Sequence, residues 1–389
     1  MGSRLVILEV ATAVVLLVGA GLLGKSLYRL LRVSIGMQAD HLATLGIVAP
    51  TADYGKDQQL IALGRQMVSE IGNSPGVKSV AIASDLSVTG WGDTTWFHVL
   101  GRPWHGEHLE VPERDVSANY FTTLGAKLQR GRYFTEDEDQ SKPRVAIVNH
   151  SFVKEFFPGE EAMGKQFAFL TEKPVPIEIV GIVEDIKEGP LDTTNRSAMY
   201  IPFNQSPENY FNLAVRTSQD ENSVLKSMVA TVEKINPDIA TAGGASMNDR
   251  INRSFATYLH RSSAWLVGGF AFLALLLSVV GLYGVIAYSV SQRTREIGVR
   301  ISLGAQPGAI YKMILREAVW LAIVGIGAGL ICAVGAAILM RKMLYGTRSW
   351  DVLTLVAVAA VLGIAALVAS YAPARRAASV DPVEALRME

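Results

Sequence analysis

The 389-residue chain is 50% apolar with a mean hydropathy of +0.26 while carrying 19% charged residues, which is too hydrophobic for a soluble protein of that charge content. Its formal net charge of zero hides a division: residues 33–260 hold 29 acidic and 20 basic side chains, and the remainder hold 7 acidic and 16 basic. An acidic segment carried on a basic, apolar remainder excludes a nucleic-acid-binding domain, which needs clustered Lys and Arg, and the single cysteine, Cys332, excludes an intrachain disulfide.

The first apolar run is Val6–Leu23. A charged start at Arg4 also fits a secretory leader. Glu9 interrupts its apolar core, however, and Lys25, Arg29 and Arg32 follow as a helix continuing past the membrane would place them, so a retained transmembrane helix is expected. Glu9 is expected near one end of that helix, with its carboxylate reaching the interface. Gly19 through Gly24-Lys25-Ser26 matches the phosphate-loop pattern G-x-x-x-x-G-K-[ST]. A phosphate cradle needs a short buried strand, a sharp loop and a helix N-terminus. This apolar run is much longer than a strand of about 5–6 residues, so its glycines are read as helix-packing positions.

Residues 33–260 are long enough for one substantial domain or two small ones. Leu42–Ala49 reads as a strand, Leu60, Leu63, Met67 and Ile71 recur at helical spacing, and Val77–Ser84 is a second strand after the Pro75-Gly76 turn. The order returns near the far end. Phe211–Thr217 is a strand, Leu225, Met228, Val232 and Ile235 form a helical stripe, and Asn236-Pro237-Asp238 turns into a weaker strand. Two such halves predict a split ferredoxin-like layer. Between them lies an insertion, Leu86–Gln205, with its own strands at Arg144–Val148 and Pro176–Val183. Gly159 through Gly164-Lys165 is a second phosphate-loop near-match, rejected because it ends in Gln166 and holds Glu160 and Glu161. His105 and His108, beside Glu107 and Glu110, are of metal-ligand type, but no second cluster completes a site. No metal, no other cofactor and no catalytic constellation is therefore expected.

Three further apolar runs follow: Trp265–Val290, Ala318–Met340 and Val352–Ala372. Each reaches the roughly 20 residues that cross a bilayer. With four spans both termini share one side. Nine Lys/Arg flank the side of the termini and seven the other, so the termini and the loop between the second and third spans are placed inside. That loop, Ser291–Ala305, is compact, basic and helix-compatible. Arg293 with Glu296, and Glu296 with Arg300, have the spacing of helix-surface pairs, and Gly304 suits the helix end. The segment is either a docking element or a solvated positive-inside loop. Gly325 and Gly329 in the third span form a G-x-x-x-G step for tight helix contact, within the chain or with a partner subunit.

Several motifs resemble one family. Arg293-Thr294-Arg295-Glu296-Ile297-Gly298-Val299-Arg300 with Leu303-Gly304-Ala305 resembles the cytoplasmic coupling segment of MacB/FtsX-type ABC transporter permeases. The tail Ala374-Arg375-Arg376-Ala377-Ala378 and Asp381–Arg387 is similar to the family's C-terminus. Val116–Phe121, Leu124-Gly125, Arg130-Gly131-Arg132, Val145–Asn149, Pro158-Gly159-Glu160 and Gly164-Lys165 resemble the MacB-like periplasmic core. The opening Leu5–Gly24 resembles the second half of duplicated, eight-span permeases, whereas a stand-alone four-span chain pairs as two copies.

The resemblance implies an α-helical membrane protein of four transmembrane helices with an α+β extracytoplasmic domain, ferredoxin-like halves around a β-rich insertion. The expected division is residues 1–32 as first helix and stalk, 33–260 as periplasmic core and 261–389 as FtsX-like permease. The implied function is that of a permease subunit in a mechanotransmitting, type VII system of the bacterial inner membrane, working in efflux and without catalysis of its own. Its implied partners are a cytoplasmic ABC ATPase, a second copy or partner half, the lipid bilayer, and periplasmic or outer-membrane components; no nucleic acid is among them. Arg293, Arg295, Glu296, Ile297, Gly298, Arg300, Leu303 and Gly304 are the implied ATPase-coupling residues. The alternatives from other classes are a membrane sensor or scaffold without transport, and a P-loop ATPase.

Overall fold

A computed structural model describes residues 2–88, 92–171, 173–303, 305–348 and 350–379. In chain order the elements are α1 (Gly2–Leu30), β1 (Leu42–Val48), α2 (Asp57–Gly72), β2 (Val77–Ala83), β3 (Thr94–Val99), β4 (Leu109–Val116), α3 (Tyr120–Leu124), β5 (Leu128–Gly131), β6 (Arg144–Asn149) and α4 (His150–Phe156). They continue with β7 (Gln166–Phe169), β8 (Ile177–Val183), β9 (Met199–Pro202), β10 (Tyr210–Thr217), α5 (Glu221–Ile235), β11 (Ala240–Ser246), α6 (Met247–Arg253), α7 (Phe255–Gln292), α8 (Thr294–Ser302), α9 (Pro307–Leu339) and α10 (Val352–Ala378). The chain divides into two units, Met1–Arg32 with Leu259–Glu389, and Val33–Tyr258.

In the second unit the hydrophobic stripes decide the layers. Leu60, Leu63, Met67 and Ile71 of α2 and Val224, Met228 and Val232 of α5 are buried against Leu45, Ile47, Ile82, Leu213 and Val215 of the sheet. The strand order here is β11-β1-β10-β2 with every pairing antiparallel, which is the ferredoxin-like arrangement expected from the two halves. Asp220 starts α5 by accepting a hydrogen bond from Ser223 N.

The insertion contains more strands than hydropathy revealed. β4, β3, β7, β8, β6 and β9 pair in that order, and β9 pairs back onto β4 in parallel, closing a six-strand ring. Closure removes the exposed edges that invite aggregation. Phe97, Phe152, Phe157 and Phe167 fill it together with Val148, Ile179 and Ile201. β4 belongs to both parts, since Val116 also pairs with Ala83 of β2. It is the strand through which the insertion joins the ferredoxin-like sheet.

In the first unit α1, α7, α9 and α10 are each long and apolar enough to cross a membrane. Helices satisfy their own backbone polar groups, as a spanning segment must. Asp351 starts α10 by accepting from Thr354 N. Two boundaries extend beyond the apolar runs: α7 begins ten residues before Trp265, and α10 continues through Pro373 to Ala378.

The G-x-x-x-G step proves to be an internal contact. A Cβ on Gly329 of α9 would lie 2.6 Å from Val14 Cβ and 2.9 Å from the Ala11 carbonyl oxygen of α1, and one on Gly325 would lie 2.8 Å from Val10 Cβ. Glu9 lies near the start of α1 and packs on a neighbouring helix. Its Oε2 is buried without a hydrogen-bond partner among the described residues and lies 2.0 Å from where a Cβ on Gly281 of α7 would be. The absent side chain of Gly281 makes the room, so this oxygen packs against α7.

Candidate functional site

At nine residues, α8 is too short to be stable alone in water, so its position depends on packing. Ile297 is 1% exposed and joins Leu282 and Ile286 of α7, Ile310 and Ile314 of α9 and Ala374 of α10 in one core cluster, which also includes Val6 and Val10 of α1. Gly298 is buried beside it, and Ile301 is half-buried against the same cluster. The outer side of α8 carries Arg295, Glu296, Val299 and Arg300, with Leu303 just beyond at 82% exposure. Ile297, one of the implied ATPase-coupling residues, is thus the anchor of the helix, while Val299 and Leu303 are exposed.

The charges divide in the same way. Arg300 Nη2 donates to Glu296 Oε1 at 2.5 Å, the expected i,i+4 pair, and its Nη1 approaches Met313 Sδ of α9 at 3.0 Å. Glu296 in the first turn and Arg300 in the last both suit the helix dipole. The expected pairing of Arg293 with Glu296 does not form. Arg293 precedes the helix, and its Nη1 turns to Glu317 Oε2 of α9 at 3.3 Å. Glu317 also accepts from Ser289 Oγ of α7 at 3.3 Å, so one carboxylate gathers three consecutive elements. Sequence reasoning missed Glu317; a lone acid one residue before the third apolar run was the available signal. Arg295 is exposed and has no hydrogen bond or ion pair among the described residues. Gly304, expected to end the helix, lies outside the described residues, as does Asp381–Arg387.

The other sequence candidates resolve differently. α1 is continuous through Gly19–Ser26, so no loop presents backbone N–H groups to a phosphate. Lys25 Nζ lies 2.6 Å from Asp351 Oδ1, and Ser26 Oγ accepts from Tyr345 N at 2.8 Å. Both side chains that a phosphate loop would use are engaged elsewhere, Lys25 at the start of α10 and Ser26 in the turn that precedes it. His105 Nδ1 lies 3.7 Å from Glu107 Oε1, whereas His108 packs its ring 4.9 Å from that of Trp96. Among the described residues no group of three or more His, Cys, Asp or Glu is placed to hold a metal ion.

Strand β4 concentrates charge that the sequence did not single out. Arg114, 1% exposed, donates from Nε to Glu188 Oε2 at 3.1 Å, and Tyr200 OH donates to the other oxygen of Glu188 at 3.0 Å. Removing one partner of such a buried pair typically costs about 3–5 kcal/mol. Its neighbours Glu113 and Asp115 share the opposite face of the strand. Burial pushes the Glu113 carboxyl up to about 7, against a hydrogen bond from Thr95. Burial and the nearby Glu113 and Glu208 raise Asp115 well above the usual range, against a hydrogen bond from Ser206 and the charge of Arg144. Asp115 Oδ1 has no hydrogen-bond partner among the described residues.

Comparison with known proteins accounts for both units. Residues 3–235 match the family of the MacB-like periplasmic core domain, and residues 268–382 match the FtsX-like permease C-terminal family. The pyoverdine export ATP-binding/permease protein PvdT of Pseudomonas savastanoi pv. phaseolicola is 30% identical over 277 residues, covering 67% of this chain and 40% of the relative. The uncharacterized ABC transporter permease YknZ of Bacillus subtilis is 27% identical over 299 residues, covering 74% of this chain and 72% of the relative. The macrolide export ATP-binding/permease protein MacB 1/2 of Paracoccus denitrificans is 27% identical over 285 residues, covering 70% and 41%. The chain thus spans about two fifths of the length of the two ATP-binding/permease relatives. Four apolar helices, an α+β extracytoplasmic domain and both family matches place the chain in the bacterial inner membrane, as a member of the MacB/FtsX-type ABC transporter permeases.

Proposed function

We propose that this chain is the permease subunit that couples ATP hydrolysis on a separate cytoplasmic ABC ATPase to a change of shape in its extracytoplasmic domain, with export as the output. In this reading residues 1–32 and 261–389 form the force-bearing membrane part and residues 33–260 the part that works outside it. A second copy or a partner half completes the membrane assembly. The names of PvdT and MacB, both exporters, support the direction of transport.

The observation that carries the proposal is the two-sidedness of α8. Ile297 and Gly298 are seated in a core shared by α1, α7, α9 and α10, while Arg295, Val299, Arg300 and Leu303 face outward. A push on the outer side is therefore delivered to all four spans. α7 has 38 residues, about 57 Å at 1.5 Å per residue. That exceeds a hydrocarbon core of about 30 Å, so motion at its inner end is carried beyond the bilayer. Arg295 and Arg300 are suited to carboxylates on the ATPase, and Val299 and Leu303 to an apolar contact beside them.

Charge reversal at Arg295 together with Leu303→Asp tests this directly. Loss of a buried, hydrogen-bonded charge at an interface typically costs about 2–5 kcal/mol, against mainly slower association for a rim charge. The double variant is expected to insert and fold normally but to lose ATPase co-purification or to uncouple hydrolysis from export. Arg341→Glu, at the opposite end of α9, is the matched control and should leave ATPase binding unchanged. Unaltered recruitment and unaltered coupled activity in the double variant would reduce α8 to a solvated loop.

A further inference from the structure

The half of the membrane unit remote from α8 contains an apolar cavity of about 140 Å³, bounded by Val15 and Leu22 of α1, Val267 of α7, Ala336 of α9, and Met340 and Leu344 just beyond it. Along α1 it runs from Val15 to Leu22 and from Ala333 of α9 to Met340, about 10 Å in each case. One wall is made of small residues, Gly19, Ala333, Ala336 and Ala337, so the space follows from the choice of side chains. An apolar protein cavity of about 150 Å³ stays dry and accepts small hydrocarbons. In a bilayer the hydrocarbon at hand is an acyl chain.

The mouth of this cavity is marked by charge of one sign. The C-terminal ends of α1 and α9 and the N-terminal ends of α7 and α10 lie here. Asp351 is the single carboxylate at this end among the described residues of the membrane unit, and Lys25 already occupies it at 2.6 Å. Among the described residues, Arg29, Arg32, Arg261, Arg341 and Arg348 remain as excess positive charge. Two of these are tied to its lining through the chain. Arg341 follows the lining residue Met340, and Arg29 Nη1 donates to the carbonyl of Gly346, two residues beyond the lining residue Leu344. The hydrogen bond from Tyr345 N to Ser26 Oγ holds the same turn against α1. Trp350 and Tyr28 are exposed at this level, as aromatic side chains at a membrane interface are. So many basic residues on the outer face also run against the usual bias of Lys and Arg to the inside.

We propose that this cavity and its rim form a lipid site, which takes a segment of one acyl chain of an anionic phospholipid from the outer leaflet and holds the headgroup against Arg29 and Arg341. The apolar space selects a chain, and the uncompensated cations select a negative headgroup over a zwitterionic one. A lipid seated there would wedge α7 against α1 and α9 at the end remote from α8. The inference concerns different residues from the coupling reading and does not need the ATPase.

The test uses the full chain without ATPase, reconstituted in bilayers of equal parts phosphatidylglycerol and phosphatidylcholine. After extensive detergent exchange, retained lipid is counted by native mass spectrometry. The parent protein is expected to keep about one phosphatidylglycerol per chain and much less phosphatidylcholine. Ala336→Phe, which fills the cavity, should reduce retained lipid at least about ten-fold. Arg341→Gln should keep a lipid but lower the preference for phosphatidylglycerol roughly five-fold, as the loss of one basic side chain near an anionic surface predicts. Where Ala336→Phe does not fold, Ala336→Leu is judged by the same criterion. Equal retention of the two lipids by the parent, or undiminished retention in the cavity-filling variant, would overturn the proposal.

Discussion

Glu113→Gln is expected to stabilise the extracytoplasmic unit at alkaline pH and to flatten its pH dependence. Glu113 lies on β4, the strand shared by the ferredoxin-like sheet and the closed insertion, and burial raises its carboxyl from 4.5 to about 7. Between those values the folded chain keeps a proton that the unfolded chain has released, so stability falls as pH rises. The penalty is absent below about pH 4.5 and fully present above about pH 7. A rise from 4.5 to about 7 corresponds to a ceiling of about 3 kcal/mol. The buried Asp115 beside it is displaced in the same direction and adds to the slope. Pulse proteolysis of the full chain in urea, at pH 5 and pH 8, reads the midpoint for this unit. The parent should unfold at lower urea at pH 8 than at pH 5, with Glu113→Gln closing much of that gap while matching the parent near pH 4.5. A parent midpoint independent of pH, or an undiminished gap in Glu113→Gln, would refute the claim that burial of this carboxyl strains the strand.

Gly329→Val should lower the thermal stability of the membrane unit by about 1–3 kcal/mol, as overpacking does, because the added Cβ meets α1 at 2.6 Å. Gly335→Ala, with nothing within 4 Å of its added Cβ, should be neutral, and equal effects of the two would remove the packing argument. In a Cys332→Ala background, an impermeant thiol reagent applied to intact cells should label Ser227→Cys on α5 and spare Ser302→Cys on α8. Labelling of position 302 alone would invert the topology. The purified chain should neither bind nor hydrolyse ATP, measured by isothermal titration and phosphate release. Stoichiometric binding abolished by Lys25→Ala would restore the phosphate-loop reading of Gly19–Ser26.

Much of the fold was legible because one periodicity governs each element. The stripe Leu60, Leu63, Met67 and Ile71 announces α2 and its buried face together, and the four long apolar runs announce the spans. The insertion was less legible. β3, β4, β5, β7 and β9 are short or carry charge, and β4 reads Leu-Glu-Val-Pro-Glu-Arg-Asp-Val, a pattern no alternation rule would accept as a buried strand. Its buried Arg114 is accommodated because Glu188, distant in sequence, arrives to pair with it and Tyr200 bonds that glutamate in turn.

The same distinction applies to α8. Its existence, its basic character and the Glu296–Arg300 pair follow from local spacing, since residues four apart on a helix are neighbours whatever surrounds them. Tertiary structure alone turned Arg293 to Glu317, put Ile297 inside and left Leu303 outside. Likewise the sequence determined that Gly325 and Gly329 would allow a close helix approach, but only the packed bundle named α1 as the neighbour. Periodicity, composition and charge are carried by adjacent residues and can be read in one dimension. Burial and partner choice depend on which distant segments arrive at the same place, and the folded chain decides that.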